Sequence, residues 1–487
     1  MGGRPLVRLI ALPATASLVL SSSCSGTFLR AEEQEGGAAK ERPNIVFVLT
    51  DDLSENLVEY MPRVKEMRRQ GLTFGNYFVT DSLCCPSRAT TLTGRYPHNT
   101  GVFTNQGADG GYRTFNARGN QRSTFATALR KAGYRTAMMG KYLNGYQASD
   151  PVPPGWDEWY VAGNGYQGFD YTLNENGRAV RYGDRLADYM TDVLARKGGD
   201  FITRAAGDDR PFMLEVSTFA PHGPYTPAPR DAGKFPGLKA PRGPSFNEAD
   251  VSDKATWLKG HPRLRPGQIG GIDRAFRKRA QSVQAVDALI GRLQAALKAT
   301  GTDRDTYLVF TSDNGFHMGE HRLAHGKQTA FDTDIKVPLV VTGPAVPAGT
   351  TDHALAQNTD LCPTFEELGG VSVPAGVDGR SLVPALTGER SEPPRKAVLV
   401  EHHGPNNTPG DPDRQNRVGG NPPSYEAIRT ATELYVEYAG GETEYYDLER
   451  DPSQLDNAAN RLSQQDRERL QELLRRLRDC RGEECRT

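Results

Sequence analysis

The sequence predicts an α/β fold: a large mixed, mostly parallel central sheet flanked by helices, followed by a smaller C-terminal α+β domain with a short antiparallel sheet and a terminal helix. Three observations carry this. NIVFVL (Asn44 to Leu49) and YLVF (Tyr307 to Phe310) are short, unbroken apolar runs, the pattern of strands buried on both faces. Between them, Val283, Val286, Ile290, Leu293 and Leu297 recur at helical spacing, and Gly301 supplies a stop. After about residue 370 the character changes: the β-like runs AVLVEHH and ELYVEYA flank a Gly/Pro/Asn-rich loop.

Taken in order, the elements begin with a segment outside the fold. Residues 2 to 26 read GGRPLVRLIALPATASLVLSSSCSG, with Arg4 and Arg8 before an apolar run and then small residues, the layout of an export signal. The apolar run is too short for a comfortable membrane span. Ser21, Ser22 and Ser23 before Cys24 leave lipidation of Cys24 open, although Ser21 stands where a lipobox has Leu. AEEQEGGAAKER then reads as a flexible tether. The expected division is 1–41 for signal and tether, 42–375 for a catalytic domain and 376–487 for the C-terminal domain. VPLVVTG (Val337 to Gly343) reads as a further central strand, and residues 223–270, rich in Pro, Gly and charge, as an excursion over the surface. In the final helix, Ser463 and Asp466 form a capping pair and Leu470, Leu473, Leu474 and Leu477 make one apolar face.

The 487 residues carry 59 Lys plus Arg against 60 Asp plus Glu, a net charge of −1, which argues against a nucleic-acid-binding protein. Of the six cysteines, Cys480 and Cys485 can close a short terminal loop, and Cys362 reads as a buried small hydrophobe. Cys84 and Cys85 are adjacent, in DSLCCPSRATTLTGRYPH.

Both early strands end in acids. NIVFVL runs into Thr50-Asp51-Asp52, and YLVF into Thr311-Ser312-Asp313-Asn314. Ligands of open α/β sheets bind at the carboxyl ends of strands. Asp51, Asp52, Asp313 and Asn314 are hard oxygen donors suited to Ca²⁺ or Mg²⁺ rather than zinc. Either pair alone reads as a cap or turn; its recurrence after two similar strands favours a metal. Lys141, His222 and Lys327 also fall just past apolar runs, and basic groups beside a hard cation make an anion site for phosphate or sulfate. His317, His321 and His325 have HxxxHxxxH spacing, but Gly315, Gly319 and Gly326 weaken the helix a zinc site would need.

Cys84-Cys85-Pro86-Ser87-Arg88 followed by Leu92-Thr93-Gly94-Arg95 resembles the C-x-P-S-R…T-G signature of type I, formylglycine-dependent sulfatases, in the alkaline-phosphatase-like superfamily. NIVFVLTDD, GKYLNGY, APHGPY, TSDNGFHMGEH, GKQTAFDTDIKVPLVV and YYDLERDPSQLDN extend the resemblance from about residue 42 to the C-terminus. Within the family, GKYLNGY and the terminal CRGEEC look most like the N-acetylglucosamine-6-sulfatase and arylsulfatase branch.

The resemblance implies that Cys84 is converted to formylglycine by a generating enzyme during maturation. The aldehyde hydrate would attack sulfur, give a covalent sulfate-enzyme intermediate, and use its second hydroxyl to expel sulfate. It implies one Ca²⁺, with Mg²⁺ the lesser alternative, held by Asp51, Asp52, Asp313, Asn314 and the modified position 84. Arg88 would steady the nucleophile. Lys141, His222 and Lys327 would hold sulfate oxygens, with His222 or Lys327 protonating the leaving alcohol. Many members have a His two positions after the Lys of GKYL; here that residue is Leu143, followed by Asn144, which is left as a substrate-binding candidate. Cys85 fills a variable position. The loop from His402 to Tyr425 is either substrate-facing or a surface loop. The implied protein is an exported hydrolase, secreted or at the cell surface, acting on a sulfated sugar or aryl sulfate and touching membrane only through a lipid at Cys24. A phosphonate or phosphate diester hydrolase and a non-catalytic sulfated-glycan-binding protein are the alternatives.

Overall fold

The computed structural model describes residues 42–389, 393–415 and 418–486. The expected export signal, Cys24 and the tether lie outside the described residues.

Ten strands form the central sheet: β1 (Asn44–Thr50), β2 (Leu72–Phe78), β3 (Arg135–Lys141), β4 (Glu158–Ala162), β5 (Thr172–Glu175), β6 (Arg178–Arg181), β7 (Phe212–Ser217), β8 (Thr306–Ser312), β9 (Leu339–Thr342) and β10 (Thr350–Gln357). Their order is β10-β2-β9-β8-β1-β7-β3-β4-β5-β6. The block β8-β1-β7-β3-β4 is parallel throughout. β9 does lie inside the sheet, as VPLVVTG suggested, but it runs antiparallel to both β2 and β8.

Every residue of β1 is buried. Because side chains alternate across a strand, Ile45, Phe47 and Leu49 enter one core while Val46 and Val48 enter the other. The second core is closed by the helices Met190–Ala206 and Pro266–Ala299; the latter buries Val283, Val286, Ile290, Leu293 and Leu297, the apolar stripe read from the sequence.

A second, antiparallel sheet follows in chain order: β11 (Val398–His402), β12 (Tyr425–Arg429), β13 (Glu433–Tyr438) and β14 (Thr443–Asp447). One face, including Val398, Val400, Ala427 and Val436, joins the core beneath the central sheet. The other, with Leu399, Ile428 and Tyr435, meets Leu470, Leu474 and Leu477 of the terminal helix Gln464–Arg478. The Ser463 hydroxyl caps that helix by accepting the Asp466 amide hydrogen. Cys480 and Cys485 are joined by a disulfide. Residues 223–270 are largely irregular, but not wholly superficial: Glu248 and Lys254 are buried, and Glu248 pairs with His321.

Among the described residues, no helix is long and apolar enough to cross a membrane.

Candidate active site

The site is built at the carboxyl ends of the parallel block. β1 and β8 pair in register, Thr50 opposite Ser312, so the residues that follow them emerge side by side. Asp52 adopts φ 64°, a left-handed conformation that Asp tolerates better than most residues. Its amide donates to Asp313 Oδ1 at 3.1 Å, and Asn314 Nδ2 donates to Asp52 Oδ1 at 2.8 Å. The two acidic pairs therefore converge, as the sequence suggested.

Cys84 opens the helix Cys84–Thr93, every residue of which is buried. Its sulfur lies 3.2 Å from Asp51 Oδ1 and 3.4 Å from Asp413 Oδ2, either of which can accept its one proton, and Lys327 Nζ donates to the sulfur at 2.7 Å. Burial, followed by the Asp413 and Asp51 carboxylates, pushes the thiol well above its ordinary range, against the pull of Lys141 and Lys327. As a plain thiol this residue is a poor nucleophile. Cys85, also buried, points into the core.

Arg88 is inside the protein: Nε donates to Asp313 Oδ2 at 2.7 Å, and Nη1 to the Lys141 carbonyl at 2.9 Å and to Ser217 Oγ at 3.2 Å. Lys141, the last residue of β3, donates to Asp51 Oδ2 at 2.6 Å and lies 5.1 Å from the Tyr166 ring centroid. Lys327 Nζ lies 2.6 Å from Asp52 Oδ1 and 2.8 Å from Asp413 Oδ1.

His222, just past β7, places Nε2 2.8 Å from Asp413 Oδ1 and 3.6 Å from Asp52 Oδ2. Burial alone would lower its pKa, but Asp52, Asp51 and Asp413 together raise it to about 9. With these carboxylates uncompensated by a metal ion, its imidazolium form is favoured near neutral pH.

Asn144 is brought to the same region but not to Cys84; its Nδ2 reaches Tyr166 Oη at 3.5 Å. Leu143 is buried in the core and offers no proton acceptor. The His317, His321 and His325 run does not form a metal site: His317 pairs with Asp334 and His321 with Glu248.

Asp413 is a residue that sequence reasoning missed. It comes from the loop between β11 and β12, is buried, and touches Cys84, His222 and Lys327 at once. Asn105 anchors it, donating to Asp413 Oδ2 at 2.7 Å and Asp411 Oδ1 at 3.1 Å while accepting from the Cys85 amide. The signal was only that this loop was a candidate for facing substrate.

Four carboxylates (Asp51, Asp52, Asp313 and Asp413) thus face four cations (Arg88, Lys141, Lys327 and protonated His222). A cavity of about 410 Å³ opens from Lys141, bordered by the amides of Asn105 and Asn144 and the aromatic rings of Tyr112, Tyr166 and Phe219.

Comparison with known proteins agrees with this geometry. The sulfatase family model matches residues 43–371, and the model for the C-terminal part of N-sulphoglucosamine sulphohydrolase matches 319–482. The chain is 35% identical to the N-acetylglucosamine-6-sulfatase of Homo sapiens over 98% of its own length and 90% of that protein. It is 36% identical to an extracellular sulfatase SULF-1 homolog of Drosophila melanogaster over 73% of its length and 32% of that longer protein. A solved structure, BT4656 in complex with its substrate D-glucosamine-2-N,6-O-disulfate, superposes with a TM-score of 0.76 at 24% identity, covering 89% of this chain and 97% of that one.

Proposed function

The chain belongs to the sulfatase family and is a sulfuric ester hydrolase, and from that premise we propose that it removes the 6-O-sulfate of a glucosamine-type sugar. The relation to an N-acetylglucosamine-6-sulfatase over nearly the whole chain supports this reading. The observation that carries it is the cavity that opens from Lys141, one of the cationic groups of the site, and offers amides and aromatic rings to a sugar.

Family membership implies a formylglycine and a divalent metal ion. The residues fit both. Asn314 Oδ1 is buried with no hydrogen-bond partner among the described residues, an oxygen free to face a cation. Asp51, Asp52 and Asp313 add three carboxylates, so the donors are oxygens, the set Ca²⁺ prefers. The exception is Cys84 sulfur, a soft donor misplaced in such a set, and its conversion to an oxygen-bearing group removes the mismatch. We assign Ca²⁺ to Asp51, Asp52, Asp313, Asn314 and modified position 84. Two added positive charges would turn a balanced cluster into one with a net attraction for a sulfate group. The formylglycine hydrate would supply two hydroxyls on one carbon, one to attack sulfur and one to release sulfate.

The chain's own residues do the rest. Arg88 is locked by Asp313 and Ser217 and holds the start of the Cys84 helix against the strand ends. Lys141 and Lys327 bind sulfate oxygens. His222, paired with the Asp413 carboxylate, holds at Nε2 the proton that the leaving alcohol oxygen takes as its bond to sulfur breaks. Asn144 contacts the sugar beyond the sulfate. The N-terminal segment reads as an export signal, the extracellular relative supports export, and a formylglycine-generating enzyme would act on Cys84 during maturation.

The test is release of inorganic sulfate from a panel of monosaccharides sulfated at O2, O3, O4 or O6. The expected result is turnover of N-acetylglucosamine-6-sulfate by protein whose position-84 peptide has the mass of formylglycine. Turnover confined to other positions, or to phosphonate esters, would overturn the reading.

A further inference from the structure

The cavity beside Lys141 contains a charged group that the chemistry above leaves unused. Arg113 lies on the short helix Gly111–Ala117, is exposed, and lines the same cavity as Lys141, Asn144 and Tyr166. The charge of Lys141 is already matched by Asp51 at 2.6 Å. Arg113 makes no hydrogen bond or ion pair with any described residue, and no Asp or Glu is among the described residues lining the cavity. The remaining polar lining is neutral: Asn105, Gln106, Asn144 and Gln147.

This pattern is selective. Exposed arginines in this chain commonly sit against a carboxylate, as Arg130 does with Asp157 and Arg230 with Asp192. A guanidinium kept free at the wall of a carboxylate-free pocket presents a planar fork of donors with no internal competitor, the geometry that takes a sulfate or carboxylate through two parallel hydrogen bonds. The scissile sulfate does not need it, because Lys141, Lys327 and His222 already converge at Cys84.

We propose that the preferred substrate carries a second anionic group besides the scissile sulfate, and that Arg113 receives it. The inference rests on the 6-O-sulfated glucosamine reading and narrows it from a monoanionic N-acetyl sugar to a dianionic substrate. Two sources have this chemistry: a sulfate on the nitrogen of the same ring, or the carboxylate of an adjoining uronic acid.

The experiment compares kcat/KM for three substrates: N-acetylglucosamine-6-sulfate, glucosamine-2-N,6-O-disulfate, and a disaccharide of a uronic acid with N-acetylglucosamine-6-sulfate. For the wild-type enzyme, one of the two dianionic substrates should exceed the monoanionic one, which identifies the source. In Arg113→Gln that ratio should fall about tenfold or more, the scale of one lost charge-assisted hydrogen bond. Arg113→Lys should restore part of it. Turnover of 4-nitrophenyl sulfate by each variant reports an intact reaction centre. A wild-type enzyme indifferent to the second charge, or a ratio unchanged in Arg113→Gln, would overturn the inference while leaving the 6-O-sulfatase reading standing. No turnover of any of the three sugars would overturn both.

Discussion

Asp413 sets a carboxylate oxygen 2.8 Å from His222 Nε2 and 2.8 Å from Lys327 Nζ, so a loop of the small sheet supplies an anion to the groups expected to grip sulfate. Its carboxylate stays ionised: burial opposes this, but Lys327 and His222 hold it well below the usual carboxylate range.

Asp413 should therefore compete with the product. A unit charge about 4 Å away is worth about 4 kcal/mol at the effective dielectric of a protein surface, and a third of that is tenfold in affinity. Asp413→Asn, which keeps the shape and removes the charge, should lower the inhibition constant of inorganic sulfate about tenfold. Sulfate inhibition unchanged from wild type would place the anion elsewhere.

Cys84→Ser should abolish turnover while leaving the melting temperature within a few degrees, because Ser fits the buried position but cannot be oxidised to an aldehyde by the same route. Mass spectrometry of the position-84 peptide is the companion measurement. Full activity in the Ser variant would show that position 84 supplies no nucleophile.

Chelation should remove activity, and Ca²⁺ should restore it better than Mg²⁺, given a donor set of three carboxylates and one amide oxygen. Asn314→Leu, which deletes the unpaired Oδ1, should raise the Ca²⁺ concentration needed for half-activity at least tenfold. Restoration by zinc alone would refute the hard-cation assignment.

Away from the site, His98 predicts a pH-dependent stability. Burial lowers its pKa, but the hydrogen bond and charge of Glu401, 2.9 Å away, outweigh this and raise it. The folded protein thus binds the His98 proton more tightly than the unfolded chain does. This stabilisation is complete below the unfolded value of about 6.5 and is lost as pH rises through the higher folded value. The difference in unfolding free energy between wild type and His98→Gln should be on the order of 1 kcal/mol larger at about pH 6 than at about pH 9. An equal difference at both would show that folding leaves the His98 pKa where it is in the unfolded chain.

What the sequence revealed follows from where its information is local. A doubly buried strand has to be apolar along its whole length, and the acids that follow β1 and β8 are fixed to those strands within a residue or two; that Asp51, Asp52, Asp313 and Asn314 sit at strand ends was readable for that reason, while their convergence needed the strand order, which the sequence does not carry. Lys141 and His222 were legible by the same proximity to β3 and β7. Strand direction was not: an apolar run such as VPLVVTG has the same composition whichever way it is traversed, and β9 proved antiparallel. Asp413, Asn105 and Tyr166 were invisible for a different cause. They come from loops without periodicity, and what makes each matter is a neighbour far along the chain, 308 positions in the case of Asn105 and Asp413.

The complete burial of the helix Cys84–Thr93 sets an order of events for manufacture. Once this helix has packed, nothing the size of a protein can reach its first residue, so chemistry at position 84 has a deadline: the moment the chain closes over it. Protein that folds with the thiol intact is a finished but blank product, unchanged by later mixing with a modifying catalyst. The specific activity of a preparation would then record how many chains were converted in time rather than how well they folded.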